Sequence, residues 1–269
     1  MMNVQKPHNL NALSADLQLA IDAAFRAGQV IADHFMEVVD ADIKPDGKGL
    51  VTRTDQESEQ VILDTLRTHS DYAIVSEETA PHAPSADLSW IIDPIDGTTN
   101  FARKIPLFAV SIALLQGEDV RLGVLFNPIA AECVYAEQGY GAYLNGQPIR
   151  VSSSAEPAST VLFLNNGYRS ADKQRHAALV DRFVNRYSLR SLGATAVEMS
   201  YLACGRAEGF ICSGDELWDY AAGIVIVEEA GGKVTDWKGQ HWDRRNAFIC
   251  ASNGSLHDEL LATIADLQP

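Results

Sequence analysis

Apolar positions set the first element of the chain. Leu17, Ala20, Ile21, Ala24, Phe25, Gly28, Ile31, Ala32 and Phe35 recur at helical spacing. Ser14 stands before them as an N-cap, with Asp16 favourably placed in the first turn. The pattern predicts a long amphipathic helix with one buried face. Residues 40–49 then turn polar and carry two glycines and a proline, which predicts a loop. Thr54-Asp55-Gln56-Glu57 fits a capping box that opens a second helix, running to about Arg67. The period then changes. Short apolar runs at 72–75, 88–92, 108–115, 120–126 and 132–137 read as strands between Gly-, Asn- and Pro-containing turns. Connections this short predict antiparallel neighbours.

A stretch of small residues, Ser152-Ser153-Ser154-Ala155-Glu156-Pro157, marks the one internal boundary. After it strands alternate with helices. Strands are expected at 160–164, 189–192, 208–212, 233–236 and 247–251, and helices at 173–186, 195–204, 217–230 and 255–267. Gly231-Gly232 is suited to stop the third of these helices. A strand-rich first half followed by an alternating second half predicts a mixed α and β chain of layered sheets and helices.

Charge narrows the partners. The 269 residues carry 36 Asp and Glu against 21 Lys and Arg, a formal net charge of −15. Such a field repels nucleic-acid backbones and anionic lipid heads, so neither a nucleic acid nor a membrane is an expected partner. Residues 1–13 are polar and lack the apolar core of a signal peptide. Cys133, Cys204, Cys212 and Cys250 form no C-x-x-C pair, which fits a reducing, cytoplasmic compartment. The seven His have no ligand spacing, and Trp237 and Trp242 read as packing or surface aromatics.

The strongest chemical signal is Trp90-Ile91-Ile92-Asp93-Pro94-Ile95-Asp96-Gly97-Thr98-Thr99-Asn100-Phe101. A buried strand runs into two carboxylates spaced by Pro94 and Ile95, and Gly97 lets the chain turn tightly. Thr98 and Thr99 bring hydroxyls and free N–H groups at a helix start, where anions bind. Carboxylates for a hard cation thus lie beside donors for a phosphate oxygen, as metal-assisted phosphoryl chemistry requires. Asp-Pro and Asp-Gly are ordinary turn material. Even so, the D-P-x-D-G-T pattern has a chance frequency on the order of 10⁻⁴ over a chain of this length. Two further acidic elements, Glu77-Glu78 after a strand and Asp219 at a helix start, are too far apart in sequence for their convergence to be read from it.

These segments resemble the inositol monophosphatase family. The likeness rests on Glu77-Glu78, the run from Asp93 to Phe101, Trp218-Asp219-Tyr220-Ala221-Ala222-Gly223 and Glu228-Glu229-Ala230-Gly231-Gly232. Leu50-Val51-Thr52-Arg53-Thr54-Asp55, the Gly123 to Pro128 run and Gly139-Tyr140-Gly141-Ala142 add to it. It spans nearly the whole chain, and it implies an α+β fold, a layered αβαβα sandwich, as a single domain over residues 1–269. Within it a strand-rich half reaches to about residue 151, and an α/β half covers 152–269.

The resemblance also implies a site. Glu77, Asp93 and the carbonyl of Ile95 would hold a first Mg²⁺, and Asp93, Asp96 and Asp219 a second, with two or three ions per site. Two cations about 4 Å apart clamp the oxygens of an in-line displacement, and oxygen-only ligands suit Mg²⁺ rather than Zn²⁺. Thr98, paired with Asp55, would orient or deprotonate the attacking water, and Glu77 would take part in catalysis. The N–H groups of Gly97 and Thr98 would cradle the phosphate. Gly193, Ala194 and Thr195, with Asp96 and Asp219, would meet the substrate. The loop around Lys44 matches one that closes over the metals.

The implied activity is hydrolysis of a small phosphorylated metabolite, inositol 1-phosphate first. Histidinol phosphate, fructose 1,6-bisphosphate and 3′-phosphoadenosine 5′-phosphate are alternatives within the family. A catalytically silent binding protein is the alternative outside enzymology, since some family relatives act in transcription complexes. Inhibition by Li⁺ and a homodimer are further implications. Two positions depart from the family pattern. Cys212 stands where inositol phosphatases carry an acid near the sugar ring, with Asp215 or Glu216 nearby as substitutes, and Gly49 stands where an Asp or Asn is usual.

Overall fold

The computed structural model describes residues 13–37, 40–44, 47, 49–79 and 87–267. The N-terminal stretch 1–12, and Pro45, Asp46 and Lys48 of the polar loop, lie outside these. The first helix, α1 (Ala15–His34), begins as its pattern predicts, with the Leu17 N–H donating to Ser14 Oγ at 3.1 Å. A small hairpin of β1 (Ala41–Ile43) and β2 (Leu50–Thr52) follows and leads into α2 (Arg53–Arg67). Three residues of the expected loop are therefore strand. Their exposed side chains carry no burial signal, so the backbone pairing was invisible in the sequence.

A seven-stranded sheet then forms in the order β3 (Ala73–Ser76), β4 (Leu88–Asp96), β5 (Ala109–Gln116), β6 (Asp119–Asn127), β7 (Glu132–Glu137), β8 (Gly141–Leu144) and β9 (Gln147–Pro148). The short helix α3 (Thr98–Ala102) sits between β4 and β5. Strands β4 through β9 are antiparallel, as the tight turns predicted. β3 is the exception and runs parallel to β4, because residues 77–87 separate them and a hairpin does not. The half-buried β8 and the exposed, two-residue β9 went unrecognised.

The second sheet has the order β11 (Ser188–Arg190), β10 (Val161–Asn166), β12 (Gly209–Ser213), β14 (Phe248–Ser252) and β13 (Lys233–Asp236). Around it lie α4 (Ser170–Phe183), α5 (Thr195–Ala203), α6 (Leu217–Glu229) and α7 (His257–Ile264).

Alternation along the strands explains the layering. Trp90 and Ile92 of β4 pack with Ala24, Ile31 and Ile62 of α1 and α2, while Ile91 faces the opposite layer with α5 and α6. Phe210 and Cys212 of β12 close that central layer from the other side, and Ile211 points outward to Leu179 and Leu260 of α4 and α7. The result is an αβαβα sandwich of the α+β class. Tyr220 through Val227 of α6 are all buried, as befits a helix pressed between two sheets. Trp237 and Trp242 are buried as packing residues, and no helix among the described residues is long and apolar enough to cross a membrane.

Candidate active site

Four helix starts meet at one cleft between the sheets, and acidic residues cap three of them. At α2, Thr52 and Asp55 form a reciprocal box. The Thr52 N–H donates to Asp55 Oδ2 at 2.8 Å, and the Asp55 N–H donates to Thr52 Oγ1 at 3.3 Å. The box therefore sits two residues before the predicted one at Thr54, because the helix starts at Arg53. At α5, whose own N-cap Ala194 has no side-chain acceptor, Asp96 Oδ2 receives the Ala196 N–H at 2.6 Å. At α6, Asp219 Oδ2 receives the Glu216 N–H at 2.8 Å within a second capping box. Free N–H groups and the positive end of each helix offset carboxylate charge at these points.

The remaining geometry comes from the end of β4, where the pairing with β5 slips between Asp93 and Asp96. Asp93 Oδ1 accepts the Ile95 N–H at 2.9 Å, which fixes the turn. Gly97 follows at φ +92°, and a Cβ there would stand 3.0 Å from both Ala194 Cβ and the Leu107 carbonyl, so only glycine fits. The turn delivers Thr98, whose hydroxyl lies 2.9 Å from Asp55 Oδ1 and 3.0 Å from the Ile95 carbonyl.

Asp93, Asp96 and Asp219 come from β4 and α6, yet each offers an oxygen within 4.8 Å of the others. Burial, with repulsion from neighbouring acids, holds Asp93 and Asp219 well above the usual carboxylate range. The same burial pushes Asp96 up to about 8, against the hydrogen bond from Ala196, and pushes Asp55 up to about 6. Hard oxygen donors crowded together at this cost fit divalent cations, which supply the missing positive charge. Glu77 lines the same cleft, but its Oε1 is ion-paired with Lys44, which also reaches Glu78 Oε1 at 2.7 Å.

The cleft encloses about 570 Å³. Glu77, Asp93, Ile95, Asp96, Gly97, Thr98, Gly193, Thr195 and Asp219 all line it, so the structure brings these predicted residues together, with Asp55 directly behind Thr98. Ala194 is the exception. Its side chain is buried in the central layer against Gly97 and does not line the cleft.

Several residues that sequence reasoning passed over hold or line the site. Asn100 Nδ2 donates to the carbonyls of Leu107 at 2.7 Å and Leu192 at 2.8 Å, while Glu198 Oε1 accepts the Leu192 N–H at 2.5 Å. Together they hold the segment that carries Gly193. Asn165, Tyr168 and Lys173 form the far wall. Tyr168 also accounts for Gly49. At φ +95° the backbone favours glycine, and a Cβ there would stand 2.6 Å from the tyrosine hydroxyl, so the half-exposed Tyr168 side chain would have to shift for the usual Asp or Asn. Asn100 lay within the strongest motif; the others had no sequence signal.

Known proteins match this arrangement along its length. The sequence profile of the inositol monophosphatase family covers residues 12–268. A Nus factor SuhB from Salmonella typhimurium is 36% identical over 259 residues, covering 93% of this chain and 96% of its own. A fructose-1,6-bisphosphatase/inositol-1-monophosphatase from Thermotoga maritima is 34% identical over 253 residues, with the same coverages. The solved structure of a Thermotoga maritima IMPase superposes with a TM-score of 0.86 at 33% identity, covering 94% of this chain and 98% of that one. With the carboxylate cluster, the Thr98–Asp55 pair and the αβαβα sandwich already in place, the chain belongs to the inositol monophosphatase family, the metal-dependent phosphatases that hydrolyse phosphoric monoesters.

Proposed function

We propose that this phosphatase is Mg²⁺-dependent and hydrolyses a small polyol phosphate, inositol 1-phosphate first. The observation that carries this reading is the convergence of Asp93, Asp96 and Asp219 beside the Thr98–Asp55 hydrogen bond. Glu77, Asp93 and the Ile95 carbonyl would hold one cation, and Asp93, Asp96 and Asp219 another. Bound there, the cations would polarise the phosphate and offset charge on the leaving oxygen. Thr98 orients the attacking water and takes its proton while passing its own hydroxyl proton to Asp55. Thr52 steers that acceptor, with its N–H and hydroxyl both on Asp55 Oδ2. The N–H groups of Gly97 and Thr98 face the phosphate oxygens. Family likeness alone supports one domain acting as the working unit, lithium competition at the second cation position, a homodimer and a cytoplasmic location.

Phosphate release, with Mg²⁺ and with EDTA, tests this across inositol 1-phosphate, histidinol phosphate, fructose 1,6-bisphosphate and 3′-phosphoadenosine 5′-phosphate. The expected result is Mg²⁺-dependent turnover with inositol 1-phosphate well ahead. Another compound ahead changes the substrate, and no turnover of any refutes the enzyme reading. The SuhB relative's designation as a Nus factor supports a second reading, a role exercised through protein contacts. Asp96→Asn separates the two: lost phosphatase activity with retained cellular function favours the contact role.

A further inference from the structure

Tyr168 stands in the wall of the cleft with its ring uncommitted. It lines the same cavity as Asp93, Asp96 and Asp219 and is 54% exposed. Among the described residues its ring meets no other ring and its hydroxyl makes no hydrogen bond. A single exposed aromatic is ordinary on a protein surface, but the mounting of this one is not. The residue before it, Gly167, donates its N–H to the Ser213 carbonyl at 2.9 Å. A Cβ on Gly167 would lie 2.1 Å from the Gly214 carbonyl oxygen, so only glycine lets these two loops come so close. Two residues further on, α4 begins at Ser170. The backbone of Tyr168 is therefore pinned on both sides.

From that mount the side chain reaches the β1–β2 hairpin, where its hydroxyl comes up against the backbone of Gly49. Burial, and then repulsion from Asp219 and Glu77, push the phenol above its usual range, so the hydroxyl stays uncharged and within the field of the cation-binding acids. Most of the cleft wall is carboxylate, amide or hydroxyl; apart from Tyr168, only Leu50, Ile95 and Trp218 bring large apolar side chains to it. Polar groups of that kind cannot cover the flat C–H or π face of a ring, whereas the face of an aromatic side chain can. An open-chain polyol has no such face to offer.

We infer that Tyr168 is a stacking platform for the leaving group. The site therefore prefers phosphomonoesters of rings, whether a cyclitol, a sugar or a planar aromatic, over those of open-chain polyols. The assignment rests on the phosphatase reading of the same site and narrows its substrate class.

The test compares kcat/KM for two ring substrates, inositol 1-phosphate and p-nitrophenyl phosphate, with that for open-chain glycerol 2-phosphate. Wild type, Tyr168→Phe and Tyr168→Ala are measured, each checked for folding by circular dichroism. Tyr168→Ala lowers the ratio of ring to open-chain substrate about two- to tenfold, the worth of one aromatic contact. The loss falls on KM more than on kcat, because a platform holds substrate and transition state alike. Tyr168→Phe keeps the face and so keeps the ratio. An unchanged ratio in Tyr168→Ala overturns the assignment, as does a parallel loss on all three substrates. An equal loss in Tyr168→Phe also overturns it, since the hydroxyl and not the face would then read the substrate. If wild type turns over none of the three, the phosphatase reading falls, and calorimetric binding decides the platform alone. Weaker binding of inositol 1-phosphate to Tyr168→Ala than to wild type, with glycerol 2-phosphate unaffected, upholds it; equal or absent binding overturns it.

Discussion

Replacing Asp55 with asparagine separates the proton acceptor from the helix cap. Asp55 is fully buried and accepts three hydrogen bonds, two from Thr52 on Oδ2 and one from Thr98 on Oδ1. An asparagine that keeps its oxygen at the Thr52 side retains the first two, so the α2 cap survives. Its amide nitrogen then faces Thr98 and donates, where the carboxylate accepted. The Thr98 hydroxyl turns to the Ile95 carbonyl, already 3.0 Å away, so Thr98 stays paired and one of the two new amide N–H groups is left without a partner. Stability should fall by about 1–3 kcal/mol, the cost of one unpaired buried donor. The proton route from water through Thr98 is cut, and kcat should fall about 10²- to 10⁴-fold, the usual worth of a general base. Asp55→Ala additionally removes the cap and strands the Thr52 donors, which should cost roughly 1–3 kcal/mol more. Burial holds Asp55 up to about 6, and as the acceptor it must be ionised. Wild-type kcat should therefore fall with decreasing pH at or below about 6, and Asp55→Asn should lack that limb. Steady-state kinetics at saturating Mg²⁺ and thermal melts decide the matter. A folded Asp55→Asn enzyme within about tenfold of wild-type kcat refutes the relay.

The metal-free protein should lose stability as pH rises from about 4 to about 8. Asp96, like Asp93 and Asp219, is raised by burial, so the native state binds more protons than the unfolded chain across that window. The slope is at most about 1.4 kcal/mol per pH unit for each proton. Urea melts in EDTA should show the fall and Mg²⁺ should flatten it; an EDTA series that is flat or rises with pH contradicts the charge cluster. Gly97→Ala forces an unfavourable left-handed backbone and two 3.0 Å contacts. It should cost roughly 1–3 kcal/mol and reduce activity with it, and a melt within about 0.5 kcal/mol of wild type would contradict the packing described.

Periodic burial made most of the architecture legible. The α1 stripe, the runs of β4 to β7 and the apolar stretch Tyr220 to Val227 of α6 each carried a pattern that one packing layer explains. Elements without such a pattern escaped: β1 is exposed on every residue, and β9 is too short to show a period. The candidate acids were named because family motifs mark them, not because their spacing in sequence reveals that β4 and α6 meet. Glu198 escaped for a different reason. Fully buried on α5, it acts on Leu192 through a backbone N–H, and a glutamate at a helical position looks like a solvated one. Hydrogen bonds from Asn165 to Thr195 and from Thr195 to Asp215 join β10, α5 and the loop before α6, a juxtaposition no linear reading contains.

The capping duties of the acids bear on how relatives of this protein can be judged. Asp55, Asp96 and Asp219 each satisfy N–H groups at a helix start, so a descendant that abandoned hydrolysis would still keep them to stay folded. Their presence is therefore a record of architecture as much as of chemistry. Asp93 is different: among the described residues its side chain receives the Ile95 N–H of its own turn and caps no helix. Under the proposed mechanism, that position would be the first to drift once hydrolysis is abandoned, and an aspartate there would mark a working phosphatase.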